Sequence, residues 1–377
     1  MKIVVWQNML SHLQSAHIRA LSNRPGMEVV IVGLDSMTRD RTQLGWTVPD
    51  FGSARVFDSP SEREIAAIVE GSGADCIHML AGWRGLRNGR KLLRSLKAKH
   101  SRIGLLTEGV DLRGWRGATR RVLYLIDRLR FAGPFDFILA MGTQGVEWFS
   151  RCGYSPATMF PYAYITEFPA ESLCDHISEE YEILFLGQLI HRKGIDILLK
   201  ALAGIGSASW RLTLVGGGRE ESAFRKLAAR LGIEERTLFL PAMKYGEAMK
   251  RLACADLLVL PSRFDGWGAV VNEALMSGVP VICSDLCGAK DLLGSVERGS
   301  VFRANSVSGL QEALRLRLSM GKRNAGSTMA LREWARCIDG ESGADYILKA
   351  MAHVYAGAPK PAPLWSAAHD ARTVPSA

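Results

Sequence analysis

No apolar run in the 377-residue chain approaches the roughly 20 residues needed to cross a bilayer as a helix. The N-terminal MKIVVWQNML also lacks the marks of a secretory signal: its apolar run is short, Gln7-Asn8 interrupts it, and no small-residue cleavage site follows. The expectation is a cytoplasmic protein, at most peripheral at the inner face of the cytoplasmic membrane. Of seven cysteines only Cys283 and Cys287 lie close together, and no second pair or histidine cluster joins them, so no metal site is expected. Helix-turn-helix signatures, zinc spacings and aromatic-studded sheet motifs are missing too, which argues against nucleic acid as a partner. Acidic residues are scarce over one long stretch. Between Arg84 and Arg130, fourteen Lys and Arg face three acids, Glu108, Asp111 and Asp127, in a chain of net charge +9. Such a surface suits an anionic membrane or a phosphorylated substrate; a solvated helix face is the plainer alternative.

What is present is a regular alternation. Apolar, β-rich runs occur at Ile3–Trp6, Val29–Gly33, Cys76–Leu80, Ile103–Thr107 and Phe135–Met141, and again at Ile183–Gly187, Leu212–Gly216, Thr237–Leu240, Leu257–Leu260 and Val279–Cys283. Most lack polar alternation, as strands buried on both faces of a parallel sheet do. Amphipathic patterns such as Arg87–His100, Ile195–Ala203, Glu220–Leu231 and Glu247–Ala255 fall between them. Strand and helix in turn imply an α/β, doubly wound fold. An irregular stretch at Cys152–Glu180, with Pro156, Pro161 and Pro169, divides the series. The expected organisation is two Rossmann-like domains, 1–165 and 166–340, facing each other across a cleft. A C-terminal helix over 341–356 would pack back towards the first domain, and a Pro- and Ala-rich tail over 357–377 would be disordered.

The segment DLLVLPSRFDGWGAVVNEALMSGVPVICSDLCGAKD, from Asp256, carries the most chemistry. A buried strand ends at Pro261, and a loop leads to a helix near Ala269. Gly266 and Gly268, flanking Trp267, let a ligand approach the backbone, and the first amides of the helix at Ala269 and Val270 would point into the loop. That is a diphosphate site needing no metal. Glu273, one turn into the helix, can accept from the two vicinal hydroxyls of a ribose; Asp265, in the loop, can hold sugar hydroxyls. Either acid taken alone could be a surface charge. In ILFLGQLIHRKGIDILLKAL, from Ile183, His191-Arg192-Lys193 sit between a strand end and a helix start, where cations can neutralise a leaving diphosphate. LTLVGGG places Gly216 and Gly217 at another strand end, a weaker signal also met in plain tight turns.

PSRFDGWGAVVNEALMSGVPVI resembles the signature of the retaining glycosyltransferase family 4 (glycosyl transferases group 1). That family has two Glu residues eight apart in the frame P-S-x-x-E-G-x-G, followed by E-A and G-x-P-V-I. The resemblance implies a GT-B fold and a nucleoside diphosphate sugar as co-substrate, without a cofactor. It implies that Glu273 holds the donor ribose and that Lys193 matches the family's K-G lysine. Asp265 stands where the family has its first Glu, and its carboxylate sits about one methylene further back. Gln188 stands where an Arg is expected, and Arg192 is the candidate to supply that charge. The resemblance also brings Gly216 and Gly217 beside the nucleotide, with Met243–Tyr245 near the base. In the first domain it places Glu108 at the position of a family histidine near the donor sugar. Glu108 could equally be a helix-entry acid. His12 and Gln14, after the first strand, are acceptor-side candidates, whereas His78, on a strand, reads as a core residue. The implied reaction moves a sugar, with retention, to a hydroxyl of a saccharide or lipid-linked saccharide, as in bacterial surface polysaccharide synthesis. A sugar-nucleotide-binding protein or epimerase without transfer is the alternative.

Overall fold

The computed structural model describes all residues except 112, 132, 169–177, 207–208 and 367–377. Among the described residues thirteen strands form two sheets, every pairing parallel. The first contains β1 (Lys2–Gln7), β2 (Glu28–Gly33), β3 (Arg55–Asp58), β4 (Ile77–Ala81), β5 (Arg102–Thr107), β6 (Phe137–Met141) and β7 (Met159–Tyr162), in the order β3-β2-β1-β4-β5-β6-β7. The second contains β8 (Tyr181–Leu186), β9 (Trp210–Val215), β10 (Thr237–Leu240), β11 (Leu257–Leu260), β12 (Val281–Ser284) and β13 (Gly299–Phe302), in the order β10-β9-β8-β11-β12-β13. In each sheet the chain runs outward from an inner strand, first one way and then the other. This is the doubly wound arrangement.

All ten expected apolar runs fall on strands. β11 and β12 are buried along their whole length, which is why they read as continuous Val, Ile and Leu. Three strands were not expected. β3 and β13 are four-residue strands at sheet edges, and polar residues interrupt both, Arg55 and Asp58 in one and Ser300 in the other, so no long apolar run marks them. β7 occupies part of the stretch read as irregular; Pro161 is tolerated there because β7 is also an edge strand. Residues 169–177 of that expected connection lie outside the described residues.

The chain divides into two compact units. One comprises Met1–Thr42, Thr47–Glu167 and the described residues from Cys337 onward; the other comprises Gln43–Trp46 and Phe168–Arg336. Within the first, the helix Gly340–Ala356 lies on the helix Ser15–Ser22. Gly340 approaches so closely that a Cβ would meet the Ala16 carbonyl oxygen at 2.7 Å. Residues 357–366 depart from the expected disordered tail. Lys360 donates to the Pro156 carbonyl at 2.6 Å and lies 5.3 Å from the Phe160 ring centroid, and Leu364 is buried. Pro and Ala remove periodicity from this segment, but these two side chains anchor it. Residues 367–377 of the same expectation lie outside the described residues.

Candidate functional site

β8 and β11 are neighbours at the point where the second sheet reverses its winding, and ligands of open α/β sheets bind beyond the carboxyl ends of such strands. Both loops that leave this point carry residues singled out from sequence. After β8 the chain makes a single turn at His191–Lys193, and Gly194, at φ +70°, opens the helix Ile195–Ala203. A Cβ on Gly194 would meet the Pro261 carbonyl oxygen at 2.1 Å, so only glycine lets this loop rest on the end of β11. Arg263 locks the two loops together. It forks onto Asp196 with two contacts of 2.8 Å and donates to the His191 carbonyl at 2.7 Å.

That frame brings Lys193 and Asp265 together. Lys193 Nζ is 2.5 Å from Asp265 Oδ2, Arg192 Nη1 is 3.5 Å from Oδ1, and Ser262 Oγ donates to Oδ2 at 3.3 Å. Arg192 also donates to the Phe264 carbonyl at 2.9 Å. The Asp265 backbone is pinned at both ends, its N–H donating to the Leu286 carbonyl at 2.9 Å and its own carbonyl accepting from Gly288 at 3.1 Å. Two cations therefore bracket one carboxylate, and the trio keeps an excess positive charge.

The glycine turn follows directly. Gly266 is buried, and Trp267, wholly buried, donates its indole N–H to Asn272 Oδ1 at 2.7 Å. Gly268 sits at φ +99°, where a Cβ would meet Cys287 Sγ and Leu260 Cδ2 at 2.9 Å. The helix Ala269–Met276 starts here with no side-chain cap. Its first amides, at Ala269 and Val270, have no acceptor within the helix, an arrangement that attracts an anion. Glu273 points into the interior and is only 7% exposed. Burial pushes its carboxyl up to about 7, and a hydrogen bond from Tyr245 offsets part of that rise.

Gly216 and Gly218 fasten the loop after β9 to the loop after β8. A Cβ on Gly216, at φ +146°, would meet the Gly187 carbonyl oxygen at 1.9 Å, and one on Gly218 would meet that of Leu189 at 2.3 Å. Gly217 lies between them with nothing within 4 Å of an added Cβ. Gln188, in the same pair of loops, is exposed.

In the first unit the singled-out residues also lie at carboxyl strand ends. Glu108 follows β5, half-buried, and the next residue, Gly109, packs on Gly145. His12 lies beyond β1; burial, then Arg41, pushes its imidazole down to about 4. Gln14 is buried and accepts from Gln7 Nε2 at 2.7 Å. His78 is a core residue that accepts from the Trp6 indole at 3.1 Å, and burial holds it near 4. Two features escaped the sequence. Tyr245 was singled out for a base pocket, not as a partner of Glu273, and the Arg263–Asp196 lock was not foreseen. Nothing in the intervening chain signals either, because both depend on which loops meet at the sheet edge. Among the described residues no group of three or more His, Cys, Asp or Glu is placed to hold a metal. No helix among them is long and apolar enough to cross a membrane.

The whole of this second-unit site lies inside a region with known relatives. Residues 175–330 match the family model for glycosyl transferases group 1. The chain is 34% identical over 136 residues to a GDP-mannose-dependent monoacylated alpha-(1-6)-phosphatidylinositol monomannoside mannosyltransferase of Corynebacterium glutamicum, covering 34% of this chain and 35% of that protein. It is 36% identical over 132 residues to the glycogen synthase of Thermus thermophilus, covering 34% and 29%. The matched regions span 29–43% of the length of such curated relatives. Among solved structures, Anabaena HepE in complex with UDP is similar at TM-score 0.70 and 15% identity, over 93% of this chain and 100% of that one. The lipopolysaccharide outer core galactosyltransferase WaaB is similar at TM-score 0.68 and 14% identity, over 93% and 99%. At such identities the likeness is one of fold, and that fold is GT-B.

Proposed function

We propose that the protein is a retaining glycosyltransferase of family 4 that moves a sugar from a nucleoside diphosphate sugar to a hydroxyl, without a metal or cofactor. The observation that carries this reading is the Lys193–Asp265 pair set against an uncapped, glycine-entered helix at the winding reversal of the second sheet. A diphosphate lies on the Ala269 and Val270 amides, with Lys193 and Arg192 opposing the charge that builds on it as the glycosidic bond breaks. Each such interaction contributes roughly 3 kcal/mol when it acts mainly in the transition state. Asp265 holds Lys193 in place and offers its remaining oxygen positions to sugar hydroxyls. Glu273 accepts from the ribose hydroxyls, with Tyr245 and Met243 near the base, and Gly217 leaves the backbone open beside the nucleotide. Retention follows when the acceptor attacks on the face the diphosphate leaves and the diphosphate takes the acceptor proton. Glu108 orients a sugar or acceptor hydroxyl, with His12 and Gln14 on the acceptor side. A lipid-linked saccharide in surface polysaccharide synthesis, reached from the cytoplasmic side, fits the mannosyltransferase among the relatives and the basic Arg84–Arg130 segment.

Thermal-shift screening with UDP and GDP sugars tests the donor assignment. The Corynebacterium relative is named for GDP-mannose and the Anabaena structure holds UDP, so the two bases are the ones to compare. Acceptor-dependent release of nucleoside diphosphate, with the sugar recovered on the acceptor, is the expected result. Conversion of the free sugar nucleotide alone would point to an epimerase, and protection without turnover to a binding protein.

A further inference from the structure

Part of the positive charge between Arg84 and Arg130 is neutralised in the fold. Arg87 pairs with Asp35 at 3.6 Å, Lys91 with Glu62 at 2.6 Å, Arg102 with Asp75 at 3.1 Å and Arg113 with Asp111 at 2.8 Å. Arg84 pairs with Asp127, and Arg90 lies 3.6 Å from the same carboxylate. Charge is therefore only part of what this surface offers. The rest lies on the helix Gly114–Arg130, GWRGATRRVLYLIDRLR.

One face of that helix is built into the first unit. Gly117 and Asp127 are buried, Tyr124 meets Trp148 edge-on with ring centroids 5.2 Å apart, and Arg84 donates to the Leu123 carbonyl at 3.0 Å. The opposite face carries Trp115, Val122, Ile126 and Leu129, spaced three, four and seven apart, so they fall in one stripe. These side chains are 72, 53, 51 and 74% exposed. Ala118 and Thr119 complete the stripe, and Leu123 borders it. Arg116 and Arg130 flank one side and Arg121 the other, all exposed. The helix has one acid, Asp127, and it is turned inward. An apolar stripe edged by arginines, with a tryptophan at one end and no acid on the outer face, is complementary to the interface of an anionic bilayer.

We infer that the helix Gly114–Arg130 lies in the plane of an anionic membrane with the Trp115–Leu129 stripe inserted among the acyl chains. The flanking arginines sit at the headgroup phosphates. This deepens the lipid-linked-acceptor reading above, but the surface itself does not depend on sugar transfer. Bound this way, the first unit would meet its acceptor at the membrane surface.

Flotation with vesicles of phosphatidylglycerol and phosphatidylcholine in equal parts tests the inference, with Ile126→Gln/Leu129→Gln as the decisive variant. It changes two exposed residues and no charge. Circular dichroism reports its fold, and thermal protection by the nucleotide sugar reports its donor site. Wild type is expected to float, and the variant to partition at least tenfold more weakly while keeping its fold and its nucleotide protection. Lipids brominated on the acyl chain are expected to quench wild type more than Trp115→Phe. The inference is overturned if the variant floats like wild type, which leaves charge alone as the cause. It is equally overturned if wild type stays off the vesicles while still protected by nucleotide. Sedimentation velocity showing a dimer that the same substitutions dissolve would assign the stripe to a second copy instead. Flotation without nucleotide protection in wild type would uphold the inference and remove the transferase reading.

Discussion

Glu273 shows most directly what the site costs the fold. Its carboxyl ionises near 7 in the folded protein, against 4.5 for an ordinary glutamate, because burial disfavours the anion. The folded state thus holds this proton more tightly than the unfolded chain does. Its contribution to stability is intact below the unfolded value and is lost as pH rises to about 7. The shift corresponds to roughly 3 kcal/mol. Glu273→Gln removes the ionisation, so urea denaturation should find the variant more stable than wild type by roughly that amount at pH 8, with the difference largely gone at pH 5. An equal difference at both pH values would mean the effect is not ionisation. Nucleotide affinity should move the other way. With ribose hydroxyls on the carboxylate, as proposed, binding should tighten by several-fold between about pH 6 and pH 8, and calorimetry should find it flat in Glu273→Gln. From sequence, Glu273 was legible through its place one turn inside a glycine-entered helix. Its burial and the hydrogen bond from Tyr245 were not, because β10 and the loops around it are joined only by the fold.

At the scale of elements, the loops after β8, β9 and β11 form one connected edge, and glycine is required at particular points in it. Gly216→Ala would drive a Cβ into the Gly187 carbonyl at 1.9 Å and force a non-glycine residue to φ +146°. We expect it to lose about 2–4 kcal/mol in chemical denaturation. Gly217→Ala meets nothing within 4 Å and should stay within about 0.5 kcal/mol of wild type. If the nucleotide passes beside it, its affinity should still fall. A loss of affinity without a loss of stability would separate the ligand's path from the scaffold; unchanged affinity would move the nucleotide away from Gly217. The strands that position these loops were readable because β8, β9, β11 and β12 are buried on both faces, which leaves runs such as LLVL and VICS. β3 and β13 were not, since a short edge strand needs no such run, and β7, though buried, was hidden by Pro161, which an edge strand accepts. The Arg263–Asp196 lock was illegible for a related reason: its two residues are brought together by the pairing of β8 with β11.

Across the whole molecule, the residues proposed to hold the donor belong to one compact unit. Lys193, Asp265, Glu273, Tyr245 and Gly217 all lie within Phe168–Arg336, while Glu108, His12 and Gln14 lie in the other. The alternation of apolar runs foretold two parallel sheets, but not that Gln43–Trp46 joins the second unit; a C-terminal helix was expected to return to the first domain, and the described chain from Cys337 belongs to the first unit. Those assignments rest on close approaches, such as Gly340 against Ala16, that leave no mark on composition. Since the donor is proposed to bind this folded unit and not the unfolded chain, saturating nucleotide sugar at a hundredfold excess over Kd should stabilise it by about 2.7 kcal/mol. Calorimetric titration of UDP and GDP sugars into wild type and Lys193→Met puts the central claim to its plainest test. One of the two nucleotide series should bind wild type and bind the variant at least tenfold more weakly. Binding of neither series to wild type, or equal affinity for both proteins, would contradict the proposed donor site.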